Sequence, residues 1–182
     1  LQSGNDQMLK AMRRKYDTKL YENRVNLIKS LRPDACIGVD VIVGFPGETD
    51  EYFNDTLNFL KKLDVSYLHV FTYSERANTT AKKMTDVVPM SKRKERSQVL
   101  HLLSDRKKRA FYAKNENTVR KVLIENENNN GMMYGFTENY VKIKIPYQEN
   151  LANTIQTVSL TELDRDIIYK SELITMSKQN LN

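Results

Sequence analysis

The feature that most constrains the fold is a nearly continuous β-branched run from Ile37 to Val43. Such a run is typical of a parallel strand buried on both faces. A glycine-bearing turn over 44–47 follows it, Thr49 is placed to cap a helix, and a second strand is predicted over 67–73. Strand, helix and strand at this spacing predict a βαβ unit belonging to a parallel sheet or barrel.

The rest of the chain has two kinds of sequence pattern, one helical and one typical of short strands. Apolar residues at helical spacing predict helices over 5–15 and 18–31 before this unit, and a long basic helix from Ser91 to about Asn115 after it. From Thr118 onward, short strands separated by turn residues, among them Asn128-Asn129-Asn130-Gly131, predict a small β-barrel. The resulting domains are 1–115, with the basic helix as linker, 116–163 as the barrel, and 164–182 as an extension of undecided type.

Composition excludes several classes of protein. With 40% hydrophobic residues among 182, global disorder is not expected. Cys36 is the only cysteine, so neither a disulfide framework nor a metal site with several thiolates from this chain is expected. His69 and His101 have no ligands at metal-binding spacing, and no metal site is predicted. No run is long and apolar enough to span a membrane, so a cytoplasmic location is the default expectation.

Polar residues follow both strands of the βαβ unit, at the end where α/β proteins bind ligands. Gly44 follows the first strand, and Thr72, Tyr73 and Ser74 end the second. Glycine lets the backbone approach a small molecule closely. An ordinary strand-to-helix turn explains the same residues, and the residues alone leave both interpretations open.

Positive charge is concentrated in one segment. Residues 91–124 carry eleven Lys or Arg against three carboxylates, whereas the whole chain has a net charge of +6. In the barrel, aromatic residues alternate with lysines, a mixture used to hold single-stranded RNA. A solvated helix and a partly buried ring are the alternatives. The candidate RNA-binding residues are Arg76, Lys92, Arg93, Arg96, Arg106, Lys107, Lys108, Arg109, Tyr134, Phe136, Tyr140 and Lys142.

Four motifs in register resemble the radical S-adenosylmethionine (SAM) methylthiotransferases: Leu1-Gln2-Ser3-Gly4-Asn5-Asp6, Leu9-Lys10-Ala11-Met12-Arg13-Arg14, Asp40 to Thr49, and His69 to Arg76. The stretch from Thr118 to Leu160, with Gly135-Phe136-Thr137-Glu138-Asn139-Tyr140, resembles the TRAM domain of these enzymes, an RNA-binding β-barrel. The resemblance implies the C-terminal half of a partial (β/α) radical SAM barrel followed by a small OB-like TRAM barrel. It also implies that Leu1 lies inside a longer protein.

The family binds SAM and two 4Fe-4S clusters, one of them through a CxxxCxxC motif. This chain has none of the cluster cysteines, so the resemblance implies an inactive part of an enzyme with no catalytic residue of its own. The cofactor-facing residues that it implies are Ser3, Gly4, Val41, Val43, Gly44, Thr72, Tyr73 and Ser74. One departure is Asn78, where the family usually has a glycine.

Details such as Gly38-Val39-Asp40 and Arg96-Ser97 are most similar to the branch that methylthiolates threonylcarbamoyladenosine beside the tRNA anticodon. Sister branches acting on isopentenyladenosine or a ribosomal protein stay open, as does a non-catalytic RNA-binding protein. The expected partner is the anticodon arm of tRNA. Exposed strand edges also predict a tendency of the chain to dimerise.

Overall fold

The computed structural model describes residues 1–75 and 84–174 and divides the chain into two compact units, Leu1–Lys108 and Arg109–Asn182. The division falls inside helix α4 (Met90–Ala113), earlier than the boundary after residue 115 expected from composition. The difference arises because the last turn of α4 contacts barrel residues: the ring of Tyr112 stacks on that of Tyr169.

Two helices open the first unit, as predicted. Helix α1 (Asp6–Ala11) is capped by Asn5 and α2 (Thr18–Leu31) by Asp17, each side-chain oxygen accepting a bond from a backbone N–H three residues on. Helix α1 ends sooner than expected, because Arg13 adopts a left-handed backbone with φ of 56°.

The predicted βαβ unit is confirmed. Strand β1 (Gly38–Val43) and strand β2 (Tyr67–Thr72) pair in parallel, and helix α3 (Asp50–Lys62) connects them. Thr49 caps α3, its hydroxyl accepting from the Tyr52 N–H at 3.1 Å. On the other side of β1, Gln2 forms a parallel bridge to Val41, so three chain segments run side by side.

The prediction that β1 is buried on both faces was wrong. Val39, Val41 and Val43 are fully covered by the helices, whereas Asp40 on the opposite face is exposed. The pairing places Asp40 beside His69 and Ile42 beside Phe71, on a face that no layer of the described residues covers. An apolar run therefore forms a strand with one buried face.

Helix α4 buries a face that is largely polar. Arg93, Arg96, Leu100 and Ser104 are buried at helical spacing, and only Leu100 among them is apolar. The helix is therefore held to unit 1 by hydrogen bonds and ion pairs as well as by apolar contacts.

In the second unit, five strands close into a barrel in the order β3-β4-β5-β7-β6. Neighbouring strands are antiparallel except β5 and β7, which are parallel. Their bounds are β3 Val119–Ile124, β4 Met132–Thr137, β5 Lys142–Pro146, β6 Ile155–Leu163 and β7 Tyr169–Leu173, with a single 3-10 turn at Glu149–Leu151. Alternate residues fill the interior, including the fully buried Val122, Met133, Ile143 and Leu160. The prediction of a small barrel is confirmed.

The β3–β4 hairpin turns at Asn130-Gly131, both with positive φ, as the turn chemistry predicts. Within the segment 164–182, which was expected to be an extension, Tyr169–Leu173 form a strand of the barrel. Strand β7 lies between β5 and β6 and completes the barrel, because Tyr169 and Ser171 alternate into the interior as the other strands do.

No helix within residues 1–75 and 84–174 is long and apolar enough to cross a membrane.

Candidate functional site

The carboxyl ends of β1 and β2 lie side by side. Val43 pairs directly with Thr72, and the N–H of Tyr73 donates to the Val43 carbonyl at 2.9 Å. Both strands therefore end at one edge, with their following loops next to each other. Residues that follow the two strands can therefore contact the same ligand at this edge of unit 1.

Tyr73 carries the most informative polar atom at this edge. Its ring packs edge-on to Phe45 at 5.3 Å, and the Arg93 guanidinium lies over the ring, also at 5.3 Å. Its hydroxyl is buried, and no group among the described residues bonds to it. A buried hydroxyl without a partner is costly, so this atom fits contact with a bound polar molecule.

The turn after β1 is held by a buried carboxylate. Glu48 Oε2 accepts from the Gly44 N–H at 2.8 Å and from Arg96 Nη1 at 2.7 Å. Arg96 Nη2 donates to Asp50 at 2.8 Å. Burial raises the pKa of Glu48, while the Gly44 N–H and Arg96 oppose the rise. The network locks the turn rather than offering a free acid.

Arg93 plays a similar structural part beside this turn. Its side chain donates to the carbonyls of Val88 and Tyr73 and pairs with Glu75 at 2.6 Å. A Cβ at Gly44 would lie 2.3 Å from Arg93 Cγ, and Gly44 has a φ of 76°. The packing of Arg93 and the positive φ therefore both require glycine at position 44.

The structure brings only part of the predicted cofactor set to the open edge. Thr72 and Ser74 are exposed there and Tyr73 is half-buried. The side chains of Val41 and Val43 are fully buried in the core, so at these two positions only the backbone is left to contact a ligand.

Ser3 and Gly4 are also held by packing within the unit. Ser3 Oγ is 3.1 Å from Thr56 Oγ1 on α3, and the Gly4 N–H donates to the same hydroxyl. Ser3 is buried, so its side chain does not face an open cleft in this arrangement.

Sequence reasoning missed the uncovered face of the sheet. Asp40, His69 and Phe71 are exposed on it, and Ile42 is half-buried. One local signal was available, because Asp40 lies on the face opposite to Val39, Val41 and Val43, and a charged residue indicates an uncovered face. The β-branched character of the whole run concealed it.

Several candidate RNA-binding cations on α4 are engaged within the protein. Arg93 and Arg96 are 2% and 4% exposed, so little of either side chain is accessible to RNA in this arrangement. Lys92 lies within 3.6 Å of carboxylates of Asp50 and Glu95. Carboxylates of unit 1, most of them distant in sequence, therefore pair with the positive charges of Lys92, Arg93 and Arg96 at this end of the helix.

The later cations of α4 differ among themselves. Lys107 donates to the Leu63 carbonyl at 2.7 Å, at the end of α3, and Lys108 is half-buried. In the second unit, Arg109 donates to the Arg165 carbonyl but remains exposed, and Arg106 of the first unit is also exposed. Arg76 and Asn78 lie outside the described residues.

The predicted aromatic and basic residues of the barrel form one surface cluster. Phe136 pairs with Lys142 across β4 and β5, and the Lys142 ammonium lies 4.8 Å from the centre of the Tyr134 ring. The rings of Phe136 and Tyr140 are 5.9 Å apart. All four residues project outward, which defines a surface called here the aromatic face (Tyr134, Phe136, Tyr140 and Lys142).

Comparison with known proteins agrees with this geometry. Residues 1–60 match the family model of the radical SAM superfamily. The chain is 42% identical over 144 residues to a threonylcarbamoyladenosine tRNA methylthiotransferase of Aquifex aeolicus, a match covering 79% of this chain and 34% of that protein.

Two further relatives extend the match. A threonylcarbamoyladenosine tRNA methylthiotransferase of Bacillus subtilis is 38% identical, over 88% of this chain and 36% of its own length. A tRNA-2-methylthio-N(6)-dimethylallyladenosine synthase of Symbiobacterium thermophilum is 39% identical, over 88% of this chain and 35% of its own. The chain thus spans about a third of the length of these relatives.

Residues 1–60, which include the first of the two paired parallel strands, thus match the radical SAM superfamily. The chain resembles the threonylcarbamoyladenosine tRNA methylthiotransferases over most of its own length.

Proposed function

We propose that the chain is part of a tRNA methylthiotransferase in which the edge formed by β1 and β2 supplies one wall of the SAM site. The observation that carries this proposal is the pairing of Val43 with Thr72, which brings two polar strand ends together in a chain whose relatives modify tRNA.

The residues present fit a SAM-binding wall but not an iron–sulfur cluster. The unpartnered hydroxyl of Tyr73 and the exposed Thr72 and Ser74 are suited to hold a polar ligand. Cys36 is the one thiol of the chain, so the two 4Fe-4S clusters of the proposal need cysteines from outside this sequence. When bound, SAM and the clusters supply the radical chemistry that transfers sulfur and methyl groups.

The contribution of this chain to that chemistry is positioning. The Glu48–Arg96 pair and Arg93 fix the turn between β1 and α3, which keeps the strand ends in place. The backbone of Tyr73 is thereby held at the strand edge, while its buried hydroxyl has no partner among the described residues. A preformed wall of this kind reduces the ordering cost of binding.

The second unit is proposed to be a TRAM-like barrel that contacts the tRNA anticodon arm. Its aromatic face combines stacking surfaces with a cation, as single-stranded nucleic-acid sites do. Among the possible substrates, threonylcarbamoyladenosine is preferred, because the relatives from Aquifex and Bacillus carry that name. The dimethylallyladenosine substrate of other relatives is the second candidate.

Nucleoside mass spectrometry of tRNA from cells with and without the full-length gene tests the activity. Loss of 2-methylthio-threonylcarbamoyladenosine supports the preferred substrate, and loss of the methylthio-isopentenyl nucleoside supports the second. Unchanged nucleosides would contradict the enzyme and favour an RNA-binding protein without catalysis.

Variants of the full-length protein test the site. Tyr73→Phe and Thr72→Val are expected to weaken SAM binding measured by equilibrium dialysis, while Thr157→Val on the barrel serves as the matched control. SAM affinity that is the same in all three variants would contradict the proposed wall.

A further inference from the structure

The most unusual backbone position on the aromatic face is Tyr140. Its φ is 62°, in the left-handed region that bulky L-residues avoid, and its side chain is 67% exposed. The ring gains little from burial, so packing of this ring does not explain the conformation. Glycine or asparagine would adopt it at lower cost.

A chain of hydrogen bonds holds the turn in this conformation. The Val141 N–H donates to Thr137 Oγ1 at 2.8 Å, and the Thr137 hydroxyl donates to Asn139 Oδ1 at 2.7 Å. Asn139 Nδ2 in turn donates to Asn115 Oδ1 at 2.9 Å, and Asn115 Nδ2 donates to the Phe111 carbonyl at 3.0 Å. Asn115 and Asn139 are both buried.

The end of α4 provides a second anchor for the same turn. The hydroxyl of Tyr112 accepts from the Lys142 N–H at 2.9 Å and lies 3.5 Å from the Tyr140 carbonyl. Tyr112 is itself fixed, because its carbonyl accepts from the buried Tyr169 hydroxyl at 2.8 Å. Helix α4 and β7 therefore determine the path of the chain on both sides of Tyr140.

We infer that Asn139 and Asn115 are positioning residues that hold the exposed Tyr140 ring, beside Phe136, as a preformed stacking platform for an unpaired nucleobase. This inference rests on the proposed function of the barrel and adds the residues that shape its face. An exposed ring on a backbone that is already held in place offers a base a stacking surface at a reduced ordering cost on binding.

A nucleobase is favoured over an apolar protein segment by the composition of the face. The Lys142 ammonium lies 4.8 Å and 5.7 Å from the centres of the Tyr134 and Phe136 rings, so a cation is built into the stacking surface. Such a combination suits a ligand that has both a flat aromatic ring and a phosphate.

The test uses the complete chain and a single-stranded RNA heptamer with a central 2-aminopurine, whose fluorescence is quenched when the base stacks. Tyr140→Asn removes the ring but keeps a residue that tolerates the left-handed backbone. We expect it to abolish the quench and weaken binding about tenfold, while Tyr140→Phe binds as the parent does.

The positioning role is tested with Asn139→Ala and Asn115→Ala, and Asn153→Ala is the matched control. Asn153 also has a positive φ, 57°, on the barrel but no part in this hydrogen-bond chain. We expect the two positioning variants to lose the quench while keeping the parent's dependence of affinity on salt, since the phosphate contacts remain. Asn153→Ala should keep both.

A double variant distinguishes positioning from general destabilisation. If Asn139 acts through Tyr140, then adding Asn139→Ala to Tyr140→Asn will produce no further loss of affinity. Additive losses, or a quench retained in Asn139→Ala, would overturn the inference. RNA binding that is insensitive to every Tyr140 variant overturns it too, yet leaves the proposed function intact.

If the chain fails to bind the heptamer at every salt concentration tested, both the inference and the proposed RNA-binding barrel are contradicted. Binding of an apolar peptide on the same face, competing with the heptamer at equal affinity, would also contradict a platform built for bases.

Discussion

At the scale of residues, the buried pair of Glu48 and Arg96 shows why a basic sequence is a poor guide to a basic surface. Both side chains are at most 5% exposed and are separated by 48 positions in sequence. Their charges neutralise each other inside unit 1. Removing one partner alone leaves the other charge buried, which is far costlier than removing both.

We therefore predict that Arg96→Met lowers the free energy of unfolding of unit 1 by about 3–5 kcal/mol near neutral pH. Without Arg96 the folded-state pKa of Glu48 rises further above its unfolded value. The folded state then binds more protons, so the loss should shrink as the pH falls toward 4.

Urea unfolding at several pH values measures this loss. Lys94→Met, at an exposed position of the same helix, is the control and should change stability by no more than about 0.5 kcal/mol. A loss in Arg96→Met that stays constant with pH would contradict the burial of an unpaired carboxylate.

Tyr169 gives a second prediction for a single residue. Burial, with a smaller contribution from Glu116, raises its pKa to about 12 from 10.0. The pKa of Tyr169 is higher in the folded state than in the unfolded state. The contribution of the neutral Tyr169 hydroxyl to stability is therefore fully present below pH 10 and is lost as the pH rises toward 12. By pH 11 the loss should reach about 1.4 kcal/mol.

The measurement is the free energy of unfolding of the barrel unit at pH 9 and pH 11, followed by near-ultraviolet circular dichroism. Tyr169→Phe has no hydroxyl to ionise, so its alkaline decline should be shallower than that of the parent. Parallel declines in the two proteins would show that this tyrosine does not control the alkaline behaviour.

At the scale of elements, α4 completes the hydrogen bonding of a strand edge. The Ser104 hydroxyl accepts from the Leu68 N–H at 2.9 Å and donates to the Leu68 carbonyl at 3.0 Å. A partner strand would use the same two groups. Leu68 is therefore not available to pair with a strand of a second chain in the dimerisation expected from exposed strand edges.

We predict that Ser104→Ala costs about 1–3 kcal/mol, because it leaves the buried N–H and carbonyl of Leu68 without partners. Native-state hydrogen exchange should show faster exchange of the Leu68 amide in the variant. Ser97→Ala, at a half-buried position of the same helix, is the matched control. Equal protection of Leu68 in both variants would contradict the edge role of Ser104.

At the scale of the whole molecule, the second unit depends on its last strand for closure. Strand β7 pairs with β5 in parallel and with β6 antiparallel, so without it two edges of the sheet would be open. Open edges of this kind template association with other chains.

We predict that a chain ending at Leu163 loses the cooperative unfolding transition of the barrel and associates more strongly, by size-exclusion chromatography, than a chain ending at Ile174, which keeps that transition. The comparison isolates β7, because it is the element by which the two chains differ. A monomeric, cooperatively folded barrel ending at Leu163 would contradict the closure.

Local signals in the sequence were sufficient for most elements. The β-branched run, the Thr49 cap and the Asn130-Gly131 turn act over a few residues, and each appears where it was predicted. The same holds for the aromatic face, since alternation along β4 and β5 determines which residues project outward. The side of β1 that the helices cover was not predicted, because it depends on distant packing.

What the sequence by itself determined was therefore the order and type of the elements, the parallel βαβ unit and the composition of the aromatic face. Tertiary structure alone decided that Arg93 and Arg96 are internal, that β7 closes the barrel, and that Tyr140 is held with a left-handed backbone. The physical reason is range: caps, turns and alternation arise between neighbours in the chain, whereas buried ion pairs and strand closure join groups that only folding brings together.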